Sequence, residues 1–237
     1  VVEKIVEYGR GQISVNHNLY YLIMNEDKII LDLCGGTGAW SKPWEDAGYT
    51  VLNVTLPDYD ILLTQTFPDR VTFRSPKRLE GTVVLYRDIY GILAAPPCTE
   101  FSRAKSTKPR DFDKGMETIE KCMEIIWAVQ KNTKLKFWAL ENPLGLLRRF
   151  LGDPPYSFEQ WWFGNDRTKA TDLWGKFNEP KRLVYTKPIF LATTKGYKNK
   201  KGENIKCRNA KWYSSAVASE RAITPAGFAK AFYKANK

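Results

Sequence analysis

Four short apolar runs, each cut off by residues that cannot continue a strand, constrain the fold of this chain most. Residues 29–33, Ile-Ile-Leu-Asp-Leu, run into Cys34-Gly35-Gly36-Thr37-Gly38. Residues 50–56 end at Pro57, residues 90–95 at Pro96-Pro97, and residues 135–140 at Glu141-Asn142-Pro143. Near-continuous apolar runs of this length suit strands covered on both faces. Between them the spacing predicts helices. One runs from Trp40 to Ala47 and stops at Gly48. The other spans 112–131, where Met116, Ile119, Met123, Ile126 and Trp127 recur at three- and four-residue intervals. Strands alternating with helices imply an α/β fold: a parallel sheet with helices on both faces. Residues 61–88 fit this pattern less readily, with Thr82–Tyr86 as a candidate extra strand.

In an open parallel sheet, ligands bind beyond the carboxyl ends of the strands. Gly35–Gly38, Pro96–Cys98 and Glu141–Pro143 each follow a buried strand, so parallel strands bring all three to one rim. Neighbouring strands lie about 4.8 Å apart, close enough for Cys98 and Glu141 to face one small substrate. Each segment alone has a plainer reading: a connecting turn, a buried thiol, a capping carboxylate. Their joint placement and order favour a site. Asp58 and Asp60, about 20 residues after Gly38, stand either where an acidic residue holds a ribose or in a polar turn. The turn lacks GKS/T, which excludes a P-loop, and lacks full GxGxxG spacing, which argues against NAD.

Charge divides the chain. Of 37 Lys+Arg and 26 Asp+Glu, residues 176–237 hold 15 and 3, a net charge of +12, while residues 1–175 are close to neutral. A near-neutral body with a basic end suggests a compact unit and a polyanion-binding surface, with a solvated lysine-rich tail as the plainer reading. Tyr185, Tyr197, Trp212 and Tyr213 interleave with lysines, as stacking on unpaired bases requires, although Trp212 also suits a small core. Lys195–Lys201 reads as a basic loop. The four cysteines, at 34, 98, 122 and 207, form no CxxC pair, and His17 is the only histidine. No metal site and no disulfide scaffold is therefore expected. No apolar run reaches the length of a membrane span, and the first residues lack a signal-peptide core.

These residues resemble the cytosine-C5 DNA methyltransferases, most of all the short members carried by bacteriophages. Asp32-Leu33-Cys34-Gly35-Gly36-Thr37-Gly38-Ala39-Trp40 is similar to the family's S-adenosylmethionine loop, DLFxGxGGF. Pro96-Pro97-Cys98-Thr99-Glu100-Phe101-Ser102 resembles its nucleophile motif PPCQxFS, and Glu141-Asn142-Pro143 its ENV. Phe163-Gly164 with Arg167-Thr168-Lys169 is similar to YGxPQxRxR in degraded form. Arg221-Ala222-Ile223-Thr224-Pro225 is similar to RxLTxxExA. The likeness covers residues 29–237 in order. Four departures stand out. Cys34 replaces an aromatic residue, and Val54-Thr55 stand where an acidic residue usually ends the second strand. Thr171 stands at the second arginine of QxRxR, and no GNxV motif is present. Only 45 residues, 176–220, separate the two late motifs, so the recognition segment is short.

The resemblance implies a Rossmann-like catalytic domain over 1–175, a small basic recognition-like segment over 176–220, and a C-terminal helix over 221–237 returning to the body. It implies S-adenosyl-L-methionine as cofactor, held by Asp32, Leu33, Cys34, Gly35, Gly36, Thr37, Gly38, Asp58, Asp60 and Pro96. Cys98, Glu141 and Lys169 are the implied catalytic residues. Pro97, Phe101, Ser102, Asn142 and Arg167 are the implied substrate contacts. Cys98 adds to carbon 6 of a flipped cytosine, and Glu141 protonates ring N3. The expected partner is double-stranded DNA, bound by a monomer in the cytoplasm of a bacterial or phage-infected cell. Three alternatives differ in kind: methylation of RNA, methylation of an exocyclic amino group, and an inactive nucleic-acid-binding module. Ala95 and Cys98, in place of the polar and aromatic residues of [D/N/S]PP[Y/F], count against the exocyclic reading.

Overall fold

The computed structural model describes residues 25–77, 81–103, 105, 109–165, 169–187, 197–198, 204–205 and 222–237. A six-stranded sheet carries the fold, in the order β2-β1-β6-β7-β9-β8. Its strands are β1 (Ile29–Leu33), β2 (Thr50–Val54), β6 (Ile89–Ala94), β7 (Phe137–Pro143), β8 (Tyr156–Glu159) and β9 (Ala170–Lys176). The first four are mutually parallel, whereas β9 runs antiparallel to both β7 and β8. The sheet is therefore mixed rather than purely parallel, and one reversed strand is the difference. β3 (Asp60–Thr66), β4 (Arg70–Arg74) and β5 (Gly81–Leu85) form a separate antiparallel sheet, which accounts for the stretch that the βα pattern leaves unplaced.

Alternation along the strands sends side chains to two cores. Leu31, Leu33, Ile92 and Leu140 join one core with Ile61, Val71 and Phe73 of the small sheet and with α2 (Phe112–Asn132). Asp111 caps α2 by accepting from the Lys114 amide at 3.0 Å. The buried stripe of α2 is Ile119, Cys122, Ile125, Ile126 and Val129, so Trp127 lies off it and is 61% exposed. The expected helix after Trp40 shrinks to α1 (Lys42–Glu45), because residues 34–41 are spent on turns. A further short helix, α3 (Arg148–Leu151), follows β7.

The second core lies on the opposite face, under α4 (Ala226–Asn236). Phe228 stacks on Phe158 with centroids 4.3 Å apart, and Phe232 meets Trp40 edge-on at 5.5 Å. Such pairs add about 0.5–1.5 kcal/mol each beyond area burial. Asn236 fastens the helix end: its side chain accepts from the Asn178 amide at 2.7 Å and donates to the Asn178 carbonyl at 3.0 Å. The chain thus leaves the body just after β9, at the point where its last helix is anchored. Gly227 lies so close to the Phe163 backbone that a Cβ there would collide with the Phe163 carbonyl oxygen. Gly227→Ala should lower stability by about 1–3 kcal/mol in chemical denaturation, because the collision is with backbone and α4 must shift. An unchanged midpoint would contradict this packing.

Of the basic segment, residues 176–187 and two short strands are described: β10 (Tyr197–Lys198) pairs antiparallel with β11 (Asn204–Ile205). Arg167, Lys195, Lys200, Lys201, Trp212, Tyr213 and Arg221 lie outside the described residues. Among the described residues no helix is long and apolar enough to cross a membrane, and no cluster of metal-ligating side chains occurs.

Candidate active site

Strand order turns back at β1, whose neighbours β2 and β6 lie on either side, and the segments after β1 and β6 frame a cleft at their carboxyl ends. After Leu33 the chain turns sharply: Cys34 adopts φ 57°, and the Gly38 amide closes a turn on the Gly35 carbonyl at 3.0 Å. Gly35 must be glycine, since a Cβ would run into the Asp32 carboxyl group and the Asn53 amide oxygen. Asn53 in turn donates to the Gly36 carbonyl at 3.1 Å. Behind the turn, the neighbouring Cys34 side chain and burial push the Cys122 thiol on α2 well up.

Asp32 is fully buried beneath this turn. Its Oδ2 accepts from the Ser41 hydroxyl at 2.6 Å, while its Oδ1 has no hydrogen-bond partner among the described residues. Burial pushes its carboxyl group up from 3.8 to about 6, against the Ser41 hydrogen bond. Between those values the folded chain holds a proton that the unfolded chain has lost. This contribution to stability is therefore complete below about pH 4 and lost as pH rises through about 6. Asp32→Asn should be more stable than the parent at pH 7.5, by up to about 3 kcal/mol, with a flatter dependence of the denaturation midpoint between pH 4 and 7. A variant that is less stable at pH 7.5 would contradict the assignment.

The segment after β6 carries Cys98. The Ala95 amide bonds the Leu33 carbonyl at 2.9 Å, and the amides of Phe101 and Ser102 turn back onto the Cys98 carbonyl at 3.0 and 2.8 Å. Arg110 then clamps this loop to the start of α2, donating to the carbonyls of Glu100, Ser102 and Lys105 at 2.5, 2.9 and 2.7 Å. Asn142 braces it from the other side: its amide donates to the Pro96 carbonyl at 3.2 Å.

Glu141–Pro143 are part of β7, not a loop beyond it, because β9 supplies them with partners: Glu141 pairs with Leu173 and Asn142 with Asp172. Strand alternation sends Glu141 to the α4 side and Asn142 to the α2 side. As β9 is reversed, it begins at the same rim, and Lys169 stands immediately before it.

These elements enclose a cavity of about 290 Å³, near the lower end of small-ligand sites. Asp32, Cys34, Gly35, Gly36, Thr37 and Trp40 line one side; Ala95, Pro96, Pro97 and Cys98 line the next. Glu141, Pro143 and Lys169 complete the far wall, and Ala222, Ile223 and Thr224, leading into α4, close it. Burial pushes the Cys98 thiol up, the Glu141 carboxylate adds to this, and the Lys169 ammonium opposes it. Burial likewise pushes Glu141 up, opposed by Lys169 and reinforced by Asp172. Asp172 is itself held by Arg148, through Nε at 2.8 Å and Nη2 at 2.6 Å.

The cavity thus gathers Asp32, Cys34, Gly35, Gly36, Thr37, Pro96, Pro97, Cys98, Glu141 and Lys169 from the residues expected in the sequence. Others fall elsewhere. Leu33 and Phe101 are fully buried core residues, Phe101 packing against Phe112 and Phe150. Asn142 is fully buried as a brace, Gly38 shapes the turn, and Ser102 bridges to Gly145. Asp58 is exposed and the Asp60 carboxylate accepts from the Leu62 amide at 3.0 Å, apart from the cavity lining. Asn53, Ser41 and Arg110 are site residues that sequence reasoning missed. Only Asn53 left a signal, as a polar residue near the end of an apolar strand. The chain matches no protein-family model and no curated protein.

Proposed function

We propose that this chain methylates carbon 5 of cytosine in DNA, using S-adenosyl-L-methionine and a covalent Cys98 intermediate. The observation that supports this most is the convergence of a thiol, a carboxyl group with raised pKa and an ammonium group on one cavity, opposite a glycine turn that covers a buried carboxylate.

The donor set fits the cofactor. The Oδ1 of Asp32, unpartnered among the described residues, suits a cationic amino group, and the Gly35–Thr37 backbone admits close approach. Asp32, Gly35, Gly36, Thr37, Trp40 and Pro96 would hold it. S-adenosylmethionine, when bound, supplies an electrophilic methyl group. The chain's own residues do the rest. Cys98 adds to carbon 6 of the ring, which turns carbon 5 into an enamine carbon and so a nucleophile. Glu141 gives its proton to N3 as negative charge builds there. A protonated Glu141 no longer repels the Cys98 thiolate, and Lys169 favours that thiolate, so the pair works with one proton between its two members. Once carbon 5 carries the methyl group, its proton leaves to solvent, Glu141 takes back the N3 proton, and the bond between Cys98 and carbon 6 breaks to free the thiolate. A cytosine in a duplex must first leave the stack, at a cost of a few kcal/mol. Phosphate contacts from the basic segment offset this.

The test is methyl transfer from labelled cofactor to duplex DNA, single-stranded DNA and RNA, followed by mass analysis of the nucleosides. 5-Methylcytosine from duplex DNA is the expected product. N4-methylcytosine, or label confined to RNA, would overturn the reading.

A further inference from the structure

On the outer side of the Lys169 wall, the chain builds a ledge that this chemistry does not use. The Gln160 amide donates to the Lys169 carbonyl at 3.1 Å, so Trp161 and Trp162 begin one residue away from the cavity wall. The amides of Leu183 and Val184 both donate to the Trp162 carbonyl, at 3.0 and 2.9 Å. This lays the start of the basic segment across the two tryptophans. The Arg182 guanidinium sits 4.7 Å from the Trp161 ring, 4.2 Å from Trp162 and 5.2 Å from Tyr185. Its Nε donates to the Val184 carbonyl at 2.7 Å and its Nη2 to the Tyr185 carbonyl at 3.3 Å. Arg182 therefore folds residues 182–185 into a hook around its own charge. Tyr185 remains 71% exposed and Leu183 58% exposed on that hook.

We propose that this ledge is a stacking platform for an unpaired base next to the target base, with Tyr185 as the stacking ring. The inference rests on the nucleic-acid reading above and adds where the flanking strand lies. Three features favour a base over other occupants. The ring is held by a preset cation, so little conformational freedom is lost when a flat partner lands on it. The ledge is joined through Gln160 to Lys169 of the cavity wall, so it adjoins the site that would take the target base. Exposed Lys181 and Lys187 flank the hook, within a segment of net charge +12, and match a phosphate backbone; exposed Glu179 on the same segment and Glu159 near Lys187 are opposing charges.

The experiment measures affinity by fluorescence anisotropy. One oligonucleotide leaves the base beside the target cytosine unpaired and replaces it with 2-aminopurine; a second is fully paired. For the unpaired oligonucleotide, Tyr185→Ala should raise Kd about 5- to 150-fold and abolish the quenching of 2-aminopurine. Tyr185→Phe should retain both, and Kd for the fully paired oligonucleotide should change less than twofold. Because Tyr185 is so exposed, an unchanged melting temperature is expected and shows that the variant is folded. Wild-type binding and 5-methylcytosine formation with no effect of Tyr185→Ala would overturn the ledge and leave the proposed activity standing. A Tyr185-dependent affinity in a protein that makes no 5-methylcytosine would support the ledge and overturn the activity. No nucleic-acid binding by the wild type would overturn the ledge, as would a concentration-dependent dimer that Tyr185→Ala disperses while oligonucleotide affinity stays constant.

Discussion

Cys98→Ala is expected to reduce methyl transfer on the order of 10⁴-fold or more, while the chain still folds and still binds S-adenosylmethionine. The size follows from the role: without a nucleophile at carbon 6, carbon 5 of cytosine does not become electron-rich, and the remaining groups cannot substitute for that bond. Folding should survive because Cys98 lines a cavity rather than filling the core, and its loop is held by backbone hydrogen bonds and by Arg110 and Asn142. Alkylation of Cys98 by iodoacetamide, which needs only the thiolate, should also become faster as pH rises in the parent. Burial and the Glu141 carboxylate both hold the thiol protonated, so the reactive thiolate fraction grows as pH increases. Lys169→Met removes the ammonium that opposes them and should move this rise to higher pH. A Cys98→Ala variant with more than a hundredth of parental turnover would show that the thiol is not the nucleophile.

Glu141→Gln should lower single-turnover rate by about 10²–10⁴-fold with little change in cofactor affinity, as an amide keeps the shape but cannot transfer a proton. The electrostatics of the cavity add a second readout with the opposite sign. The Glu141 carboxylate helps to hold the Cys98 thiol up, so its removal should make Cys98 more acidic. Alkylation of Cys98 by iodoacetamide should therefore be faster in Glu141→Gln than in the parent at pH 8, although methylation is far slower. A general loss of structure would not slow one reaction and leave the other faster but confined to Cys98. A methylation loss under tenfold, or slower alkylation, would mean that Glu141 is not the proton donor beside Cys98.

The strands of the main sheet were legible because their buried runs are short and sharply terminated, and the rim with Gly35, Cys98 and Glu141 followed from the parallel order of the first four. What stayed hidden depends on pairing between distant residues. Glu141–Pro143 look like a strand terminator, yet they extend β7 because Thr171–Leu173 lie opposite them. That same reversed strand delivers Lys169 to the rim, which no local spacing announces. Trp127 fitted a three- and four-residue spacing as well as Val129 does, and only the packing partners of α2 decide between them. Ser41 and Arg110 act through hydrogen bonds to a carboxylate and to loop carbonyls. Such bonds leave no periodic mark in a sequence. Arg70-Val71-Thr72-Phe73-Arg74, by contrast, alternates as an exposed antiparallel strand should, and β4 could have been read from it.

The central claim is a covalent bond between Cys98 and carbon 6 of cytosine, and trapping that bond tests it most directly. With duplex DNA carrying 5-fluorocytosine at the methylation site and S-adenosylmethionine present, fluorine cannot leave as the C5 proton does. The intact mass of the protein should therefore increase by that of the oligonucleotide plus a methyl group. Peptide mapping should place the addition on Cys98, and Cys98→Ala should form no adduct. An equal adduct in Cys98→Ala, or full methylation of normal DNA with no trapping by the fluorinated DNA, would contradict the account.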